Sequence, residues 1–192
     1  MNQEWPSRNI VVFDLETLRT PEEVGGWRAQ EMGLSVAVLY SYHDHRYLVY
    51  DKHNVKDMVS LLNHAGLVVG FNHTRFDYEV LRGWGHEIMP LGDYDILVES
   101  WKSDGLDPDT YDKHHAGYGL DIMAFSTVGS RKTGNGADAP RLWAEGRIAE
   151  VVTYCMNDVR LTKELFEHIL EWQDVRLQGR RIRMRNPFAN WK

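Results

Sequence analysis

Asp14 and Glu16 stand two residues apart at the end of the apolar stretch Ile10-Val11-Val12-Phe13. An apolar, β-branched run of this kind predicts a buried strand over residues 9–17. Side chains alternate faces along a strand, so both carboxylates project from the same one. Two anions held together at a buried strand end repel each other and are costly to desolvate. A divalent cation removes both costs, since hard cations take carboxylate oxygens together with water and phosphate. Otherwise the strand simply ends there in a solvated turn. Asp77 follows a second apolar strand candidate, residues 67–71. Taken alone it is an acid in the first turn of a helix, where the dipole favours it, with Asn72 a turn former and Phe76 a core aromatic.

The fourth acid lies on a long helix. Ile148, Val151, Val152, Cys155, Val159, Phe166, Ile169 and Leu170 follow helical spacing and mark its buried face. Asp158 falls on the flank of that stripe, and Tyr154 lies one turn earlier on the same side. An aspartate beside a core stripe calls for a partner: a metal, Arg160 or Lys163 nearby, or solvent. Together, the four acids come from two strand ends and a helix that packs on the sheet, each placed to converge on one edge of the fold.

The elements that must position them follow from patterning. Residues 33–40 and 46–50 are further strands, with His43-Asp44-His45 as the hairpin turn between them. Asn54 is placed to cap a helix beginning at Val55, with Asp57 completing a short-armed capping box. A helix over 76–84 ends near Gly83 or Gly85, and residues 100–120 are irregular. A helix over 120–128, a glycine-rich loop over 129–140 and a long helix over 146–175 complete the order. Hairpin-linked strands followed by alternating helices and strands predict an α/β fold, a mixed sheet flanked by helices.

Bulk composition agrees with one domain of 192 residues, 43% hydrophobic and 26% charged, values that exclude global disorder. No apolar run approaches the roughly 20 residues of a membrane span, and the N-terminus has no signal-peptide pattern. Cys155 is the only cysteine, which excludes an internal disulfide and a cysteine-based zinc cluster and makes a reducing cytoplasm the default setting. His43, His45, His114 and His115 lack zinc spacing, and the last two read as solvated. A net charge of −6 argues against a nucleic-acid ligand, but two divalent ions in a four-carboxylate site would offset most of it. Arg176, Arg180, Arg181, Arg183 and Arg185 crowd the C-terminal end.

Read together, these residues resemble the three exonuclease motifs of the DEDD superfamily: Phe13-Asp14-Leu15-Glu16-Thr17 the first, Asn72 to Asp77 the second, and Tyr154 to Asp158 the third. The tyrosine four positions before Asp158 resembles the tyrosine subclass; the histidine subclass would carry its base at position 153, which is Thr153 here. Members of that superfamily include proofreading domains of family B DNA polymerases and RNase D-like ribonucleases. A nearer likeness, carried by residues 120–147 and 154–166, is to small bacterial and phage-type RNase H-like predicted exonucleases. The resemblance spans roughly residues 9–171, leaving a basic extension over 172–192 within a single RNase H-like domain.

The resemblance implies a 3′–5′ exonuclease that hydrolyses phosphodiester bonds of DNA or RNA and releases nucleoside 5′-monophosphates. Asp14, Glu16, Asp77 and Asp158 would hold two Mg²⁺ or Mn²⁺ ions about 4 Å apart. Asp14 would bridge them and Tyr154 would orient the attacking water, because a phenol with pKa near 10 is a poor base at neutral pH. Backbone groups at Leu15 and Thr17, with Asn72 and Phe76, would hold the terminal nucleotide. Arg131, Lys132 and the loop with Gly134 and Gly136 would approach the phosphates. The C-terminal arginines, with Trp172 or Trp191 for stacking, would bind the single strand or else form a solvated tail. A polymerase or helicase is the partner class in a repair or proofreading setting, with no membrane involved. Two other readings stay open: a catalytically silent RNase H-like binding module, and a resolvase-type endonuclease, which the Tyr154/Asp158 pair disfavours.

Overall fold

The apolar run before Asp14 forms β1 (Ile10–Thr17), the middle strand of a five-stranded sheet. The computed structural model describes residues 9–134 and 136–189. On one side β1 pairs antiparallel with β2 (Leu34–Ser41), which pairs antiparallel with β3 (Arg46–Tyr50). On the other it pairs parallel with β4 (Leu67–Gly70), which pairs parallel with β5 (Asp93–Asp95). The order β3-β2-β1-β4-β5 brings the C-terminal ends of β1 and β4 side by side, the edge at which open α/β sheets place their ligands.

Strand alternation divides the core in two. Val11, Phe13 and Leu15 face α2 (Val55–His64) and α3 (Asp77–Gly83), with Val68 and Leu39. Ile10 and Val12 face the long helix α7 (Ile148–Trp172), together with Val36, Val38 and Val69. Asp14 and Glu16 share the parity of Ile10 and Val12 and so emerge on the α7 side. Phe13, fully buried, stacks on Tyr78 at 5.8 Å between ring centroids and meets His73 edge-on at 5.7 Å. Burying such a ring is worth about 3–5 kcal/mol over alanine, and it ties the start of α3 to β1.

Several elements depart from their sequence patterns. A one-turn helix, α1 (Ala29–Met32), precedes β2. Asn54 does not cap α2: its Oδ1 accepts from the Asp51 N–H at 2.7 Å, inside the turn before the helix, and the capping box is absent. The segment expected to be irregular from residue 100 begins inside α4 (Ile96–Ser103), whose cap, Asp95, accepts from the Val98 N–H at 3.3 Å. His115, expected to be solvated, is buried against Trp101 and closes a capping box with Asp112 in a 3-10 turn. After α5 (Leu120–Val128), the expected loop gives way at its end to α6 (Ala139–Ala144), with Pro140 in its first turn, where a missing N–H costs nothing.

The long helix stops at Trp172, earlier than its pattern extends, because Gln173 takes a left-handed conformation (φ 53°). Val175 then lies in a hairpin of β6 (Asp174–Leu177) and β7 (Arg180–Arg183). Val175, Leu177, Ile182 and Met184 are buried in the same cluster as α5 and α7.

Candidate metal centre

β1 carries Asp14 and Glu16 to the α7 face, where Cys155 of the helix meets them. One ligand atom from each of these three residues lies within 4.8 Å of the others. The Cys155 thiol is a hydrogen-bond donor in this trio. It reaches the Asp14 carbonyl at 3.3 Å and Asp14 Oδ2 at 3.6 Å, and burial followed by the field of Asp14 raises its pKa far above the ordinary thiol value. A thiol held neutral among hard oxygen donors is not the ligand that binds a hard cation; the carboxylates are.

Asp77 enters from the first turn of α3, at the end of the adjacent strand. Its Oδ1 accepts the Leu15 N–H at 3.1 Å, so the second motif is pinned to the backbone between Asp14 and Glu16. The turn that delivers it is tight. A Cβ on Gly70 would come within 2.6 Å of the His73 ring, so only glycine lets the strand end there. Asp95, which no sequence signal had marked, organises the same loop. It accepts from Asn72 N at 2.8 Å, Thr74 N at 3.0 Å and Thr74 Oγ1 at 2.7 Å. Those bonds also hold Asn72 at its left-handed φ of 66°.

Asp158 and Tyr154 come from α7, one turn apart. Asp158 pairs with the Lys132 ammonium, not with Arg160 or Lys163, which bond to Asn157, Glu164 and Glu167 along the helix surface. Lys132 arrives from the glycine-rich loop. A Cβ on Gly134 would collide with the Tyr154 ring, so glycine there lets the loop lie flat on that ring. Arg131, the neighbour of Lys132, turns outward: its guanidinium stacks on Phe125 at 3.5 Å and lies 3.7 Å from Asp121.

These carboxylates act on one another. Burial, then the Asp158 charge, raises the Asp14 carboxyl to about 8. Glu16 is pushed well up by burial and by Asp14, Asp158 and Asp77, and Asp77 by burial and then by Asp14 and Asp95. Asp158 is raised by burial, with Lys132 pulling the other way. Burial opposes the Lys132 ammonium, but Asp158, Asp14 and Glu16 outweigh it and raise its pKa. Thus one lysine faces three carboxylates, Asp158, Asp14 and Glu16, that repel. Among the described residues, Asp158 Oδ1 and the Tyr154 hydroxyl, both buried, have no hydrogen-bond partner. A divalent cation suits the grouped pair Asp14 and Glu16, which offer hard oxygens and excess negative charge in a buried setting. The acidic residues grouped at this edge are therefore able to bind a metal ion.

The lysine makes a separable prediction. Removing it strands Asp158 in the interior, so Lys132→Ala should lower the stability of the metal-free protein by about 1–3 kcal/mol, below the full cost of breaking a buried pair because the lysine is partly exposed. Mn²⁺ should restore most of the loss in a thermal melt. A variant that melts like wild type in EDTA would mean that the pair contributes nothing.

The remaining expected site residues are spread more widely. The Leu15 side chain is in the core under α3 and its N–H is taken by Asp77, while the Thr17 hydroxyl donates to the Arg19 carbonyl at 2.9 Å. Phe76 is half-buried and lies 5.3 Å from Trp27. The C-terminal arginines are not a free basic tail. Arg180 pairs with Asp104 at 2.8 Å, Arg185 with Glu99 at 3.1 Å, and Arg181 with Asp174. Trp172 is largely exposed, and Trp191 lies outside the described residues.

No protein-family model matches the chain, and no curated protein matches it. Among solved structures, it is similar to the family B DNA polymerase from the hyperthermophilic archaeon Pyrobaculum calidifontis, with a TM-score of 0.54 and 17% identity over 84% of this chain and 24% of that one. The fold is RNase H-like. At that identity the likeness is one of fold, and the chain spans about a quarter of the polymerase's length. Among the described residues no helix is long and apolar enough to cross a membrane.

Proposed function

We propose that this chain is a metal-dependent 3′–5′ exonuclease of the tyrosine subclass, acting on a single-stranded 3′ end of DNA or RNA. The observation that carries the proposal is the mutual influence of Asp14, Glu16, Asp77 and Asp158 at one sheet edge, beside a buried tyrosine hydroxyl with no partner among the described residues. The motif resemblance supports it independently, since it includes proofreading domains of family B DNA polymerases and the similar fold belongs to such a polymerase.

Asp14, Glu16, Asp77 and Asp158 would hold two Mg²⁺ or Mn²⁺ ions, which supply an activated water at neutral pH and charge stabilisation at the leaving 3′ oxygen. The Tyr154 phenol keeps its proton, because burial and then Asp158 and Glu16 raise its pKa beyond the ordinary value. It therefore donates a hydrogen bond to orient the attacking water and does not serve as a base. Asp77 keeps the backbone at Leu15 rigid, and Cys155 fixes the Asp14 carboxylate. Tyr154→Phe should lower kcat roughly 10- to 100-fold with metal affinity unchanged, the usual worth of one orienting hydrogen bond being about 1.5–3 kcal/mol. Equal loss of Mn²⁺ affinity would show that the hydroxyl acts as a ligand.

The direct test incubates the protein with 3′- and 5′-labelled single strands of DNA and RNA, with Mg²⁺, Mn²⁺ or EDTA. Stepwise shortening from the 3′ end that requires metal is the expected result. Intact 3′ ends under every metal condition would leave a catalytically silent binding module. A polymerase or helicase is the partner class that such an activity would serve, and the reduced Cys155 thiol suits a cytoplasmic setting.

A further inference from the structure

Beside the carboxylate edge, the fold forms a second feature, most of whose wall lies outside the three motifs. It is a cavity of about 710 Å³ walled chiefly by aromatic rings, among them Trp27, Trp101, Tyr111 and His115, with Asn72 and Arg75. Trp101 meets His115 edge-on at 4.8 Å and Tyr111 at 6.2 Å. Its buried indole N–H has no acceptor among the described residues. The Arg75 guanidinium sits over the Trp101 ring at 5.2 Å, and among the described residues it has no carboxylate partner. No aspartate or glutamate among the described residues lines the cavity, although the chain as a whole carries a net charge of −6. Trp27 and Tyr111 are 69% and 66% exposed and present open aromatic faces at the cavity.

We propose that this cavity is a nucleobase subsite that takes the base next to the 3′-terminal one as the strand leaves the carboxylate centre. The proposal rests on the exonuclease reading and deepens it. Asn72 belongs both to the motif that delivers Asp77 and to the cavity wall, and Phe76, one residue before Asp77, packs at a tilt against Trp27 of that wall, 5.3 Å between ring centroids. The two sites are therefore contiguous, as neighbouring nucleotides of one strand require. Flat aromatic faces take any base by stacking, and the unpaired Arg75 meets the phosphate that accompanies it.

The test measures binding of a 5′-fluorescein oligothymidylate of about ten nucleotides by anisotropy in Mn²⁺, with a phosphorothioate at its terminal linkage to slow hydrolysis. A second strand has an abasic residue next to the 3′ end. In wild type the abasic change should weaken binding roughly 5- to 150-fold, the worth of one stacked base. Trp27→Ala and Tyr111→Ala alter exposed side chains and keep the core. They should bind the intact strand more weakly and lose most of the discrimination against the abasic one. The p-nitrophenyl ester of thymidine 5′-monophosphate has no upstream base, so wild type and Tyr111→Ala, which lies away from Phe76, should hydrolyse it at equal rates. A wild type indifferent to the abasic residue, or variants that keep the full abasic penalty, would overturn the subsite. An abasic penalty in a protein that hydrolyses neither substrate would retain the subsite and remove the exonuclease.

Discussion

Asp14→Asn is expected to lose about 10³-fold or more in exonuclease rate while keeping its fold. On the proposed reading, Asp14 would be one of the carboxylates that hold the cations. The substitution would remove several kcal/mol of transition-state charge stabilisation, and each 1.36 kcal/mol is a factor of ten. The fold should survive because Asp14 costs the metal-free protein stability: its carboxyl is desolvated and repelled by Asp158. A neutral amide keeps the shape and can still accept from the Cys155 thiol, which lies 3.6 Å from the present Oδ2. Metal-free Asp14→Asn should therefore melt at or above the wild-type temperature. A rate within a few-fold of wild type would remove Asp14 from the centre; inactivity accompanied by loss of the cooperative melt would reduce the effect to misfolding.

The second large effect is a stability that depends on metal and pH together. Asp14 has its folded pKa raised to about 8 from 3.8. Below pH 4 the carboxyl is protonated whether the chain is folded or not, and its burial costs nothing extra. Between pH 4 and 8 the unfolded chain ionises while the folded one keeps the proton, so stability is lost as pH rises through that window. Glu16 and Asp77, shifted in the same direction, add to the trend. Metal reverses it, because the cation binds the ionised set and displaces those protons. Melts in EDTA should therefore fall from pH 5.5 to 8.5. Mn²⁺ at about 100 times its Kd should add about 2.7 kcal/mol, or roughly 5–10 °C, with the larger gain at the alkaline end. Identical melting with and without Mn²⁺ at every pH would leave the carboxylates without a cation.

What could be read from the sequence was local. The alternation in Ile10 to Glu16 and the helical stripe of α7 depend only on neighbours a few residues apart. Both elements form where their patterns place them, with Asp14 and Glu16 on one face and Tyr154 one turn from Asp158, although α7 ends at Trp172 and leaves Ile148 of its stripe exposed. The mixed sheet with flanking helices followed from the order of such segments. β5 escaped notice because three residues, two of them aspartates, carry no apolar period. The C-terminal hairpin escaped because its arginines mask a two-residue alternation of Val175, Leu177 and Ile182.

The pairings across the chain were another matter. Lys132 reaches Asp158 across 26 positions, Asp77 reaches Leu15 across 62, and Cys155 reaches Asp14 across 141. The sequence alone determined which residue types occupy which face of each strand and helix, since backbone geometry sets those periods. Only the tertiary structure decided that one lysine closes the carboxylate set, that Asp95 shapes the turn before Asp77, and that Trp27, Trp101 and Tyr111 wall one cavity. Such contacts depend on how whole elements pack, and no local period encodes the distance between groups on different elements.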